Sequence, residues 1–145
     1  MNKLLSPISR ILVALIFVIS GFGKVMNMDG TAAMMTASGF PGSSVKFFLI
    51  AAIILEMGCG LALLVGFKTK WASLGLIIFL IPATLIFHAA HLGDPAQTQM
   101  QAVEVLKNLA IMGGLVKFFI DGAGAVAVDT MTFHHHGQVP VAGTR

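Results

Sequence analysis

Phe47-Phe-Leu-Ile-Ala-Ala-Ile-Ile-Leu-Glu56-Met-Gly-Cys-Gly-Leu-Ala-Leu-Leu-Val-Gly-Phe67 holds one charged side chain, Glu56, near the middle of a mostly apolar run. As a helix rising 1.5 Å per residue, about twenty such residues cross the roughly 30 Å hydrocarbon core of a bilayer. A carboxylate at that depth costs a few kcal/mol on insertion scales, so it faces a bundle interior or a wet cavity rather than lipid. One stretch therefore predicts a membrane helix and, at Glu56, the region of a site.

Composition extends this reading to the whole chain. Of 145 residues, 57% are hydrophobic and only 10% are charged, against about one quarter charged in a soluble domain. A soluble globule of this composition would expose too much apolar surface. Three further apolar segments run roughly from Ile8 to Met26, Trp71 to Ala90 and Val105 to Ile120. The last is the shortest and most polar. The expected fold is an all-α, polytopic four-helix membrane bundle, residues 1–124, followed by a flexible cytoplasmic tail, residues 125–145. Lys3 and Arg10 ahead of an apolar run resemble a signal peptide, but without a clear small-residue cleavage site the run reads as an uncleaved first span. Pro82 predicts a kink in the third span.

The loop after the first span is not plain linker. Thr31 to Ser38 is helix-compatible and moderately apolar, and Gly39-Phe40-Pro41-Gly42 breaks it. We expect a short helix at the membrane interface. With the N-terminus inside, Lys3, Arg10, Lys68, Lys70, Lys117 and Arg145 lie inside, and Lys24, Lys46 and Lys107 outside. That asymmetry predicts cytoplasmic termini. Trp71 beside the Lys68-Thr69-Lys70 turn suits an interfacial anchor. Gly58, Ala62 and Gly66, and Ala110 with Gly114, have the small-residue spacing that lets helices approach in lipid.

Several chemistries are excluded or disfavoured. Cys59 is the only cysteine, which rules out an intramolecular disulfide and a Cys-x-x-Cys redox pair. One turn after Glu56, it reads as a small packing residue. The net charge of +3 fits cytoplasmic loops, and no basic run with interleaved aromatics implies a nucleic-acid partner. His88 and His91, at i, i+3, have a spacing that can hold a metal, but two ligands are not a site and no metal is expected. His134-His135-His136 reads as a solvated tract. Asp94, Asp121 and Asp129 read as loop or boundary charges.

Depth arithmetic gathers the remaining polar groups. Counting at 1.5 Å per residue puts Lys24 about 24 Å above the inner boundary and Glu56 about 15 Å below the outer one. His88 lies about 25 Å up from Trp71, and Lys107 and Asn108 about 5 Å deep. Each span thus brings a polar group to the outer half, with Glu56 deepest. The functional reading is an outward-facing cavity with Glu56 at its floor and Lys24, His88, Lys107 and Asn108 around it. The structural alternative has Glu56 fixing helix register through Lys24 or backbone, while the lysines snorkel to head groups.

Ile16-Phe17-Val18-Ile19-Ser20-Gly21-Phe22-Gly23-Lys24 resembles the first-span signature of DoxX family membrane proteins. Five further features follow the same order and spacing: the Thr-Ala-Ala segment ending Gly39-Phe40-Pro41; Glu56 before a Gly-rich helix; the Gly66-Phe67-Lys68-Thr69-Lys70 turn; His88 closing span three; and Lys107-Asn108 before Gly113-Gly114. The resemblance covers about Arg10 to Gly124. It implies a four-helix bundle of the bacterial inner membrane, often described as oxidoreductase-associated, with some relatives linked to quinone-coupled sulfur oxidation or oxidative-stress complexes.

Two functional classes follow. One is a redox-associated membrane subunit that binds a quinone-like or lipid-like molecule around Glu56, with redox protein partners. Glu56 would be its proton acceptor or hydrogen-bond partner and its best catalytic candidate. The other is a non-catalytic protein for membrane anchoring, assembly or small-lipid and solute handling, in which Glu56 is structural. The chain carries no self-contained redox centre, so catalysis would need a borrowed cofactor such as a quinone, or a partner.

Overall fold

A computed structural model describes residues 2–93, 96 and 98–134, and these are all-helical apart from turns. The first helix, α1, runs Asn2–Met26. Only Asn27 separates it from α2 (Met28–Ala37). Asn27 Oδ1 accepts from the amide of Gly30 at 3.1 Å, so a side chain caps α2 where the chain changes direction. This is the short helix expected after span one, starting three residues earlier than its apolar pattern suggested. Gly39, at φ +94°, and Pro41 then end it.

The Glu56 stretch is α3 (Gly42–Val65). Gly66 stops it at φ +72°, with Gly66 N donating to Leu63 O at 3.2 Å and Phe67 N to Ala62 O at 2.8 Å. That pair of bonds is a Schellman close. α4 (Thr69–Phe87) follows at once and runs through Pro82 without ending. A 3₁₀ turn (Ala89–His91) leads to α5 (Thr98–Asp121) and α6 (Val128–His134).

Three helical stretches are long and apolar enough to cross a membrane: Leu4–Met26, Gly42–Val65 and Thr69–His91. The fourth long helix, α5, has 24 residues, enough length at 1.5 Å per residue. It is more polar, carrying Gln99, Gln101, Glu104, Lys107, Asn108, Lys117 and Asp121.

The four long helices pack in the order α1, α3, α4, α5, and α1 and α5 also touch. Ala14, Phe17, Leu63, Ala72, Leu76, Leu80, Leu115 and Phe118 form the buried core from all four. A second cluster of Met35, Val45 and Leu49, joined by Phe40 and Phe87, fixes α2 over the other end. Phe40 stacks on Phe87 with ring centroids 5.9 Å apart.

The expected small-residue stripe holds in part: a Cβ at Gly66 would lie 2.5 Å from Ala127 Cβ and at Gly114 3.5 Å from Val13 Cγ2, but other positions differ. A Cβ at Gly58 or Gly113 would meet nothing within 4 Å. At Gly60 it would lie 3.2 Å from Phe17 Cβ and Val18 Cγ2, and at Gly21 only 2.6 Å from Met57 Cγ. The α1–α3 crossing therefore runs through Gly21 and Gly60. Cys59 packs against the core, its Sγ facing Gly75.

The end opposite α2 is tied by buried polar contacts. Arg10 is 3% exposed. Its guanidinium donates to the carbonyls of Leu64 at 3.3 Å, Ala123 at 2.8 Å and Val126 at 3.0 Å. Asp129 is not the plain loop charge expected. Its carboxylate accepts from the amides of Lys68 at 2.7 Å and Thr69 at 2.9 Å, capping α4 from across the fold. Part of the expected tail is thus the helix α6; His135 and His136 lie outside the described residues.

Candidate functional site

Glu56 is 4% exposed on α3, facing α1. It sits beside the Gly21 crossing, where a Cβ would come within 3.3 Å of Glu56 Cβ. That close approach brings α1's polar face onto the carboxylate. Lys24 Nζ donates to Oε2 at 2.8 Å and Oε1 at 3.0 Å. Ser20 Oγ donates to Oε1 at 3.2 Å and accepts from Lys24 Nζ at 2.7 Å. Lys24 does not snorkel to the surface; it reaches inward onto the carboxylate.

The α4–α5 pair is joined separately. Asn108, buried on α5, donates through Nδ2 to Thr84 Oγ1 at 3.0 Å, and Thr84 Oγ1 donates to Leu80 O at 2.7 Å. His88, at the end of α4, lies with Nδ1 2.9 Å from Gln101 Oε1; with the amide oxygen accepting, Nδ1 is the donor. Lys107 pairs with Glu104 one turn away, and both are partly exposed.

Between these two pairs of helices lies a cavity of about 560 Å³. Lys24, Glu56, His88, His91, Lys107 and Asn108 all line it, as do Ser20, Gln101 and Glu104. Its apolar wall includes Ile16, Phe17, Phe79, Leu80, Ala83 and Ile111; α2 contributes Thr31 and Met34, and Ser38 just after it also lines the space. The volume is in the range of small-molecule sites, which are mostly apolar with a few convergent polar groups. His91 Nδ1 is buried without a hydrogen-bond partner among the described residues. Among those residues no group of three or more His, Cys, Asp or Glu gathers as for a metal.

Ser20, Thr84 and Gln101 were missed in reading the sequence. Periodicity could have found them. Ser20 and Thr84 precede Lys24 and His88 by one helical turn, and Gln101, Glu104 and Asn108 fall on one face of α5.

The DoxX family model matches residues 6–89. The chain belongs to the DoxX family. The matched stretch holds Lys24, Glu56 and His88; Gln101, Lys107 and Asn108 lie beyond it. The chain is 35% identical to the inner membrane protein YqjF of Escherichia coli K12 over 124 residues, 86% of this chain and 88% of that protein. It is 32% identical to the inner membrane protein YphA of the same organism over 124 residues, 84% and 86% of the two chains. No solved structure matches significantly. This DoxX protein is thus a helical membrane protein whose family-matched segment supplies the α1 and α3 side of the cavity and the wall from α4.

Proposed function

We propose that this DoxX protein is a redox-associated subunit of the bacterial inner membrane that binds a quinone-like or lipid-like molecule between α1–α3 and α4–α5. The observation that carries the reading is the cavity itself: four helices bring their polar groups to one apolar-walled space beside a buried carboxylate. Purely structural polar residues have no need to share a cavity. In this reading α5 is a fourth span, α2 lies at the outer interface, and the termini face the cytoplasm, as the lysine distribution supports. Residues 1–124 are the membrane domain. Glu56 accepts a hydrogen bond or proton from the ligand's head, and His88, Lys24, Lys107 and Asn108 orient it. Electrons come from or go to a partner protein.

A second reading, anchoring or small-lipid handling with Glu56 structural, is favoured by Lys24 bonding both oxygens of Glu56. Native mass spectrometry of the protein taken from its own membrane in mild detergent separates the two. A reproducible adduct, lost in Glu56→Ala and kept in the exposed-site control Lys117→Ala, is the expected result, and its mass divides quinone from lipid. A bare mass in every preparation selects anchoring or assembly, with Glu56 structural.

A further inference from the structure

The cavity's charges are balanced in pairs, and this limits what it can hold. Its lining includes two cations, Lys24 and Lys107, and two carboxylates, Glu56 and Glu104. Each cation is already bonded to a carboxylate. Lys24 is saturated: an ammonium has three N–H donors, and its nitrogen lies within bonding distance of three acceptors, Ser20 Oγ, Glu56 Oε1 and Glu56 Oε2. An anionic head group would have to break one of these bonds and leave Glu56 buried beside like charge. A cationic head would in turn face Lys24.

What remains open is neutral hydrogen-bonding capacity. An ionised carboxylate offers about four acceptor positions; Lys24 and Ser20 take three at Glu56. His91 Nδ1 is buried and unpartnered among the described residues. The walls around these positions are apolar.

We propose that the cavity selects amphiphiles with an uncharged hydroxyl-bearing head and an apolar body, and that the pairs Lys24–Glu56 and Lys107–Glu104 enforce this selection. This rests on the reading of the cavity as a ligand site. Each pair acts as a charge filter, so breaking it in one direction should invert the preference in a predictable sense.

The test uses the full chain in phosphatidylcholine vesicles with three nitroxide-labelled probes of equal chain length, bearing alcohol, sulfate or trimethylammonium heads. Spin-label spectra report the immobilised fraction, and the part lost in Ala83→Phe, which fills the cavity, is the specific part. The alcohol should bind about tenfold better than either charged probe. Glu56→Gln and Glu104→Gln, each freeing a lysine, should shift preference to sulfate. Lys24→Met and Lys107→Met should shift it to trimethylammonium. The rim pair is partly exposed, so its variants keep the test decisive if the buried pair cannot be altered without unfolding. A wild-type preference for a charged head, or an order unmoved by the four substitutions, overturns the proposal while leaving a ligand site. Absence of any fraction sensitive to Ala83→Phe overturns both.

Discussion

Lys24 and Glu56 form a buried pair, and at the scale of single residues such pairs respond unequally to substitution. Removing one partner of a buried pair costs about 3–5 kcal/mol because a charge is left uncompensated. Lys24→Ala should therefore destabilise the protein by that amount in thermal unfolding in micelles. The double variant Lys24→Ala/Glu56→Ala should lose less than the sum of the two single losses, by about 1–3 kcal/mol in a double-mutant cycle. Additive losses would mean the ion pair does not hold α1 to α3. Glu56→Gln separates the roles: a folded, stable protein without activity points to proton handling, full tolerance to a register held by hydrogen bonds alone, and loss of insertion or folding to a register that needs the charge of Glu56 opposite Lys24. Glu56 was legible in the sequence because a lone carboxylate in an apolar run has few explanations. Lys24 was legible only as one possible partner, since it sits near the end of its span and its side chain can turn inward or snorkel outward. The 2.8 Å contact depends on Gly21 admitting α3, a tertiary fact.

At the scale of elements, helix ends decide the connections. Asp129 caps α4 from a distance of sixty-one residues in sequence at Lys68 and sixty at Thr69, so no local motif announces it. Asp129→Ala should cost about 1 kcal/mol, the usual worth of a side-chain cap, and should raise amide exchange at Lys68 and Thr69 before the rest of α4. Val126 holds φ +56°, where a branched side chain is strained by roughly 1–2 kcal/mol. Val126→Gly should relieve part of that strain and raise the unfolding temperature, despite the flexibility glycine adds to the unfolded chain. Lowered stability would mean that the Val126 side chain contributes more packing than its backbone costs. The helices themselves were readable from hydropathy and the breakers Gly39, Pro41 and Gly66. The extension of α1 back to Asn2 and of α3 to Gly42 was not, because Ser and Lys near span ends are polar yet helical once neighbours pack on them.

At the scale of the whole molecule, the polar cavity and the polar knot around Arg10 lie at opposite ends, separated by the apolar core of Phe17, Leu76, Leu80 and Leu115. Positive-inside orientation assigns the knot to the cytoplasm. In a Cys59→Ala background, Met34→Cys should react with a membrane-impermeant maleimide only in right-side-out vesicles, and Lys70→Cys only in inverted ones. The reverse pattern would invert the proposed topology. The bundle and the site's end were readable because depth counting needs only the rise of a helix. The division of polar contacts into an α1–α3 set and an α4–α5 set was not, since it depends on which faces meet. The knot also bears on how the chain is made. Arg10 leaves the ribosome well before two of its three carbonyl partners, Ala123 and Val126, which follow it by 113 and 116 residues. During synthesis that guanidinium has only the Leu64 carbonyl, water or lipid head groups to bond until residues 123–126 arrive. A nascent chain halted before Ala123 should keep its first helix loosely seated and open to proteolysis, and the arrival of residues 123–126 would be the event that seats it.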